Sequence, residues 1–211
     1  MTVGRRVQTP EHFSKKPISW WRREEVPERY DYVLSFLESE KPTDVLEIGS
    51  GRGAFALRLR DVGMRVYAVE INRTFIEHCR SKDDHGEIGF IQGNAEVLPL
   101  RNECFDAVIC IEVLMHVPNP HTLLSEISRV LTWDGHAVIS FLLKYTPDYF
   151  KKMAMVMSGF YAARYGKHAF DYRYDTFKDF MGYVQGTNLV IKSTQNEEQG
   201  NPCLILQKKR G

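Results

Sequence analysis

The sequence has little cysteine, and its cysteines are not spaced for cross-linking. Its 211 residues include four cysteines, none of them in a C-x-x-C pair. They are Cys79, Cys104, Cys110 and Cys203. Disulfide frameworks and zinc sites need repeated short spacings, whereas single thiols inside apolar segments are typical of reduced core cysteines. We therefore expect neither a disulfide scaffold nor a cysteine metal site.

Long apolar runs and an excess of charge of one sign are also missing. No stretch approaches the ~18 apolar residues of a membrane-spanning helix. The opening residues, MTVGRRVQTPEHF, lack the apolar core of a signal peptide. The 28 basic and 27 acidic residues leave a net charge of +1, which gives no general attraction to nucleic acid or anionic membrane. We expect a soluble, cytoplasmic protein that does not insert into membranes.

What is present has the composition of one globular domain. Hydrophobic residues make up 43% of the chain, and a chain of this length can bury a core without disulfides. We expect a single domain over residues 27–211, with a lid or substrate insertion at 144–174. A basic arm, residues 1–26, precedes it and carries the adjacent Trp20 and Trp21. Two adjacent indoles favour docking on the domain, where Trp20 would help to cover a site.

Strand-like apolar runs alternate with amphipathic helical patterns along the chain. The seven predicted strands are residues 45–48, 65–69, 88–92, 105–111, 136–142, 188–193 and 202–207. Asn119 and Asp175 are predicted to cap two of the helices between them. Phe55, Leu59 and Val62 are predicted on one face of the helix after residue 53, and residues 132–135 are predicted to form the turn before the fifth strand. This alternation favours right-handed crossovers and a mainly parallel sheet. The predicted fold class is α/β, with helices on both faces of a seven-stranded sheet.

The most informative stretch is VLEIGSGRGAFA, residues 45–56. A buried strand pattern ends there in a glycine-rich turn that opens into a helical pattern. The turn residues are Gly49, Ser50, Gly51 and Gly53. Glycines let a ligand lie on the backbone, and Glu70 follows at about the spacing of a ribose-binding acid, ~20 residues on. The turn predicts a nucleotide-type cofactor and leaves an NAD-dependent oxidoreductase open as an alternative.

Glu47 bears on which nucleotide-type cofactor the turn would bind. A carboxylate in the strand before the turn would repel the pyrophosphate of a dinucleotide. S-adenosylmethionine instead carries an ammonium group, a sulfonium centre and a ribose diol, which carboxylates can bind. The stretch EIGSGRG, residues 47–53, resembles the E-x-G-x-G-x-G signature of class I S-adenosylmethionine-dependent methyltransferases. The resemblance implies a Rossmann-like fold and S-adenosylmethionine as the cofactor.

Two further stretches are similar to the same family. GNAEVLPLRNECFDAVIC, residues 93–110, resembles G-D-A-x-x-L-P-[FL]…F-D-x-V with Asn94 in place of aspartate. An asparagine oxygen can still accept from an exocyclic amine. HVPNPHTLLSEISRVLTWDGHAVIS, residues 116–140, is similar to small-molecule methyltransferases related to the ubiquinone and menaquinone C-methylating enzymes, although WDG replaces their P-G-G. A small apolar or aromatic acceptor is implied.

The resemblance also implies roles in binding the cofactor. Glu47 and the glycine turn would line its methionine part, and Glu70 would bind both ribose hydroxyls. Ile71 would flank the adenine ring, while Asn94 and Ala95 would bind its edge.

The loop after the fourth predicted strand carries the candidate chemistry. By the resemblance, Glu112 would lie beside the sulfonium or the methionine backbone. His116 is the candidate general base, because imidazole titrates near working pH. The alternative is a structural histidine that hydrogen-bonds within the loop. His116 and His121 have no third ligand placed with them, so we expect no metal.

The acceptor site is expected at residues 144–174, which follow the end of a strand, where ligands of open α/β sheets bind. Methionine and aromatic side chains recur there at helical spacing, which suits an apolar acceptor. The substrate candidates are Trp20, Tyr145, Tyr149 and His168. The alternative is a helix that only packs on the sheet edge.

The sequence lacks the usual motifs of enzymes that methylate nucleic acids or protein arginines. The residues IEVL, 111–114, stand where amino-methylating nucleic-acid enzymes carry Asn/Asp-Pro-Pro-Tyr/Phe, and the double-glutamate loop of protein arginine methyltransferases is missing. We therefore expect a small-molecule substrate and not nucleic acid. The basic arm keeps an RNA- or protein-modifying methyltransferase open as the alternative.

Overall fold

The computed structural model describes residues 14–15, 31–143, 174–195 and 202–210. The basic arm and the insertion expected at 144–174 therefore lie almost wholly outside the described residues.

A seven-stranded sheet forms the centre of the described fold. Its strands are β1 (Asp44–Ile48), β2 (Arg65–Glu70), β3 (Gly89–Gln92), β4 (Phe105–Cys110), β5 (Leu131–Ser140), β6 (Leu189–Gln195) and β7 (Cys203–Lys208). Their spatial order is β3-β2-β1-β4-β5-β7-β6. The pairs among β1 to β5 are parallel, and β7 runs antiparallel to β5 and β6. The predicted α/β class with a mainly parallel, seven-stranded sheet is confirmed.

Helices cover both faces of this sheet. The α-helices described over their full length are α1 (Asp31–Glu40), α2 (Ala54–Asp61), α3 (Arg73–Lys82), α4 (Pro120–Val130) and α5 (Phe177–Val184). Strand residues alternate between two buried clusters, as a pleated strand requires. In β1, Leu46 packs with α4 and α5, whereas Val45 packs with α1, α2 and α3. The core is therefore two layers, one on each face.

Three of the four cysteines lie in the core, as the sequence predicted. Cys79, Cys110 and Cys203 are buried, Cys104 is half-buried, and all four are free thiols.

The start of β5 differs from the prediction. The strand begins at Leu131 instead of residue 136, because the expected turn becomes an irregularity within the β4–β5 pairing. Asp134 takes a positive φ of 66° there, and a Cβ on Gly135 would come within 2.9 Å of the Asp106 carbonyl oxygen. Leu142, predicted in the same strand, instead belongs to a short parallel pair, Leu142–Leu143 with Tyr174–Asp175.

Two helix ends also differ from the prediction. Thr176, not Asp175, caps α5, in a reciprocal capping box with Asp179. Asp175 is buried and accepts the Tyr183 hydroxyl at 2.9 Å. Val62, predicted on the apolar face of α2, lies just beyond that helix and is exposed. The Asn119 cap of α4 is confirmed, with its side chain accepting from the Thr122 N–H.

Asp106 should matter for stability, because its side chain holds the amino end of β1. Its Oδ2 accepts the N–H groups of Thr43 and Asp44 at 3.0 and 3.1 Å. We expect Asp106→Ala to lower the free energy of unfolding in urea by about 1–3 kcal/mol, since both donors lose their acceptor. Glu77→Ala, which removes an exposed ion pair with Arg73, should cost about 0.5 kcal/mol or less. Equal losses in the two variants would contradict this role.

Candidate cofactor site

The predicted acidic residues come together at the carboxyl edge of the sheet. Glu47 in β1 lies opposite Ala68 of β2 and Ile109 of β4. Glu70 is the last residue of β2, opposite Gln92 of β3. Ligands of open α/β sheets bind at this edge, outside the strand ends.

The glycine turn that follows β1 has a backbone that glycine adopts without strain. Gly49, Gly51 and Gly53 have φ values of 73°, 53° and 79°, the left-handed region that other residues rarely enter. The Gly49 N–H donates to the Val69 carbonyl at 2.7 Å, which ties the turn to β2. A Cβ on Gly49 would come within 2.3 Å of Val113 Cγ2. The turn therefore also packs against the loop after β4.

Glu70 joins the end of β2 to this turn. Its Oε2 accepts the Gly51 N–H and its Oε1 accepts the Asn72 N–H, both at 2.9 Å. Burial raises the pKa of Glu70, and the hydrogen bonds from the backbone oppose that rise. Each carboxylate oxygen has more than one lone pair, so hydroxyl groups of a ligand can be accepted as well.

Glu47 is the more costly of the two buried acids. The residue is 5% exposed, and burial raises its pKa to about 8, against one opposing hydrogen bond from the Ala56 backbone. Among the described residues, its Oε2 and the Ser50 hydroxyl have no hydrogen-bond partner. A buried acceptor without a partner costs about 1–3 kcal/mol. A ligand carrying a cation and hydrogen-bond donors would supply the partner, so these residues fit S-adenosylmethionine.

The residues expected at the adenine lie at the same edge. Ile71 directly follows Glu70, and its carbonyl accepts the Gln92 side-chain amide at 3.3 Å. The Gly93 N–H donates to the Glu70 carbonyl at 3.0 Å, and Asn94 and Ala95 follow. Asn94 Oδ1 accepts the Glu96 N–H at 3.0 Å. Because a backbone N–H can only donate, this contact fixes which side-chain atom is the oxygen.

The loop after β4 brings the candidate chemistry to the glycine turn. Glu112 takes a positive φ of 58°, and its N–H donates to the Ser140 hydroxyl at 2.7 Å. A 3₁₀ helix, Leu114–His116, follows, and the His116 N–H donates to the Val113 carbonyl. Left-handed conformations of residues other than glycine cluster at functional sites. Through Val113, the structure places Glu112 and His116 in the loop that packs on Gly49.

The acceptor-site prediction falls on residues that the structure does not describe, and His121 lies away from the glycine turn. Trp20, Tyr145, Tyr149 and His168 lie outside the described residues. His121 Nε2 is 3.1 Å from the Gln185 carbonyl, a contact that joins α4 to the end of α5. Over the described ranges, no group of three or more His, Cys, Asp or Glu side chains could hold a metal ion. No described helix has the length and apolarity to cross a membrane.

Two residues that support the site were not predicted. Ser140 is fully buried at the end of β5, next to the strand that leads into Glu112. Cys79 lies under the glycine turn, where its thiol contacts the Gly51 carbonyl at 3.3 Å. Burial raises the pKa of Cys79 to about 12, so the group stays a neutral thiol. Ser140 ends the stretch 116–140 and Cys79 lies in α3, and the sequence signals no role at the site for either residue. Strand order and helix packing bring them there.

Known proteins with similar sequences are methyltransferases. Residues 46–139 match a methyltransferase domain family. The chain is 27% identical over 144 residues to the ubiquinone biosynthesis O-methyltransferase of Rickettsia canadensis, covering 62% of this chain and 61% of that protein. It is 35% identical over 94 residues to a probable phthiotriol/phenolphthiotriol dimycocerosates methyltransferase 2 of Mycobacterium ulcerans, covering 44% and 36%. The matched part of the chain thus spans 61% of the length of the first relative and 36% of the second.

A solved structure shares the fold. The magnesium protoporphyrin IX methyltransferase of Synechocystis PCC 6803, with bound SAH, has a TM-score of 0.72 and 16% identity. The match covers 95% of this chain and 98% of that one. The family match includes the glycine turn, Glu70 and the loop after β4. Residues 46–139 thus resemble a methyltransferase domain, on a fold that the chain shares with a solved methyltransferase.

Proposed function

We propose that this protein transfers the methyl group of S-adenosylmethionine to a small organic acceptor. The observation that carries the proposal is the buried Glu47 Oε2, which has no hydrogen-bond partner in the described part of the chain, beside a left-handed glycine turn. An ammonium group would favour the ionised form of this carboxyl and pair with it, whereas a pyrophosphate would oppose its ionisation and leave Oε2 without a donor. The same carboxylate is our reason to set the NAD-dependent alternative aside.

The cofactor would lie along the carboxyl edge of the sheet. Glu47 and the turn residues, Gly49 to Gly53, would hold its methionine part, and Glu70 would accept hydrogen bonds from the ribose hydroxyls. Ile71 would flank the adenine ring. Asn94 and Ala95 would bind the edge of the base, on the far side of Glu70 from the glycine turn.

The bound cofactor supplies a methyl carbon activated by a positively charged sulfur. The main task of the protein is to hold an acceptor atom in line with the carbon–sulfur bond, and such alignment can lower a barrier by ~7–11 kcal/mol in the best cases. Glu112 would lie near the sulfonium, in the backbone conformation that Ser140 holds. His116 would act as the general base and take the proton of a hydroxyl acceptor at its imidazole.

The acceptor is proposed to be small, with apolar or aromatic character. The relatives support this, since several are named as ubiquinone biosynthesis O-methyltransferases. Trp20, Tyr145, Tyr149 and His168 remain the predicted acceptor-site residues. The four free thiols suit a reducing compartment, so we place the reaction in the cytoplasm.

Methyl transfer can be tested with S-adenosylmethionine labelled in its methyl group. We expect label to appear in a phenol, quinol or lipid acceptor, with one S-adenosylhomocysteine formed for each transfer. His116→Asn should lower kcat by about 10²–10⁴-fold with little change in the affinity for S-adenosylhomocysteine, because a base acts on the acceptor and not on the cofactor. Unchanged kcat in this variant would leave His116 a structural residue of its loop.

Glu70 is expected to be essential for cofactor binding. We expect isothermal titration calorimetry to give micromolar binding of S-adenosylhomocysteine to the wild type. Glu70→Ala should weaken it at least ~10-fold, since ribose contacts and the bond to the Gly51 N–H are lost together. Glu77→Ala, on the exposed face of the following helix, is the matched control and should bind as the wild type does. Full binding by Glu70→Ala would exclude the proposed ribose contact.

Cofactor affinity should depend on pH through Glu47. Its pKa of about 8 leaves the carboxyl mostly protonated at neutral pH, and a bound ammonium group would favour the ionised form. Affinity should therefore rise with pH up to about 8, and binding at neutral pH should release protons. Titration calorimetry in buffers of different ionisation enthalpy measures both. Glu47→Gln should remove most of the dependence of affinity on pH. We expect the part that remains to come from titration of Glu70.

The same shift has a consequence for the ligand-free protein. Because burial raises the pKa of Glu47 from 4.5 to about 8, wild-type stability should fall as the pH rises between these values. Glu47→Gln should not show that fall in thermal unfolding. Parallel stability profiles for the two proteins would contradict the assigned shift.

A further inference from the structure

Side chains of α4 hold the middle of the loop between β3 and β4. Leu98 donates its N–H to Glu126 Oε2 at 2.7 Å, and its carbonyl accepts from Arg129 Nη2 at 3.1 Å. Arg129 Nη1 donates to the Leu100 carbonyl and to Asn102 Oδ1, both at 2.8 Å. Backbone groups away from regular structure need such partners. One pair of side chains therefore holds the middle of this loop against α4.

Glu126 and Arg129 also bind each other. Arg129 Nε lies 2.6 Å from Glu126 Oε1, and Arg129 Nη2 lies 2.7 Å from Glu126 Oε2. This two-point contact fixes the plane of the guanidinium group relative to the carboxylate. Both side chains are largely shielded from solvent: 17% of Glu126 and 29% of Arg129 is exposed. The pair acts as one rigid unit, called here the α4 clamp.

The clamped loop begins at the cofactor site. Gly93 donates its N–H to the Glu70 carbonyl, and Asn94 Oδ1 accepts the Glu96 N–H. Glu96 Oε1 in turn accepts the Asn119 N–H at 2.8 Å, so the loop meets the start of α4 as well as its later turns. Asn94 therefore lies between an anchor at Glu70 and an anchor on α4.

We propose that Glu126 and Arg129 are positioning residues that set the choice of base in the cofactor, by holding Asn94 and Ala95 against the edge of the adenine. The proposal rests on the proposed function, which places the adenine at Asn94. Asn94 Oδ1 has a second lone pair beyond the one used by Glu96, and it would accept from the exocyclic amine. A base with a carbonyl oxygen in that place would present an acceptor to an acceptor and bind more weakly.

The test compares two ligands that differ only at that group. S-adenosylhomocysteine carries the exocyclic amine, and S-inosylhomocysteine carries a carbonyl oxygen instead. Isothermal titration calorimetry gives the affinity ratio for each protein. A fixed hydrogen-bonding position discriminates strongly between such groups, and a loosened position does not. We expect the wild type to prefer S-adenosylhomocysteine by about tenfold or more, the worth of one well-placed hydrogen bond.

Arg129→Met should lower the affinity for S-adenosylhomocysteine and bring the ratio close to one. Arg129→Lys keeps the charge but loses the planar fork, and its ratio should lie between the two. Glu126→Gln tests the other half of the clamp, and the two conservative variants carry the test if Arg129→Met does not fold. Asp106→Ala removes contacts at the amino end of β1, away from the cofactor site. This variant controls for a general loss of stability and should keep the wild-type ratio of the two affinities.

Each outcome decides the proposal. A wild-type ratio in the clamp variants, or a ratio that falls equally in Asp106→Ala, would show that the clamp does not position the base. A wild type that binds S-adenosylhomocysteine without preference would overturn the choice of base and leave the proposed function standing. A wild type that binds neither ligand would overturn the proposed function together with this inference.

Discussion

The carboxylate of Glu70 receives one backbone N–H from the glycine turn and one from the segment after β2, and the site depends on this contact. It fixes the turn relative to the end of β2. The turn then carries Gly49 against Val113, which places the loop with Glu112 and His116. On the other side, the carbonyl of Glu70 binds the Gly93 N–H and starts the loop that carries Asn94.

The buried acids of the site destabilise the ligand-free protein. Glu47 and Glu70 are both buried. The pKa of Glu47 is raised by its own burial and, to a smaller extent, by the negative charge of Glu70. Burial favours the neutral carboxyl in both, while Glu70 is partly compensated by backbone donors. A ligand with positive charge and hydrogen-bond donors would offset this cost. Acids with raised pKa values that share a cleft edge are typical of functional sites.

Local patterns predicted the strands and the glycine turn because both depend on neighbouring residues. The period of apolar residues marks a strand, and three closely spaced glycines mark a turn with left-handed backbone. The pattern could not place the start of β5, since Asp134 continues the strand with a positive φ. It could not choose between Asp175 and Thr176 as the cap of α5 either. Both residue types cap helices, and the contact of Asp175 with Tyr183 decides.

The supporting contacts of the site were beyond prediction for a different reason. Ser140 reaches Glu112 only because β5 lies beside β4, and Arg129 reaches Leu98 only because α4 packs over the preceding loop. Such pairs are about 30 residues apart and follow no periodic spacing. The chemistry of a side chain can propose it as a ligand contact from the sequence, whereas the residues that hold it in place are found only in the fold.

We propose that the two acids and the glycine turn select a cationic nucleoside over a dinucleotide. The most direct measurement is the thermal unfolding midpoint of the wild type with S-adenosylmethionine, S-adenosylhomocysteine or NADH at equal concentration. A ligand that binds only the folded state raises the midpoint by mass action. We expect a rise with S-adenosylmethionine and with S-adenosylhomocysteine, and none with NADH. A rise with NADH alone would contradict this proposal.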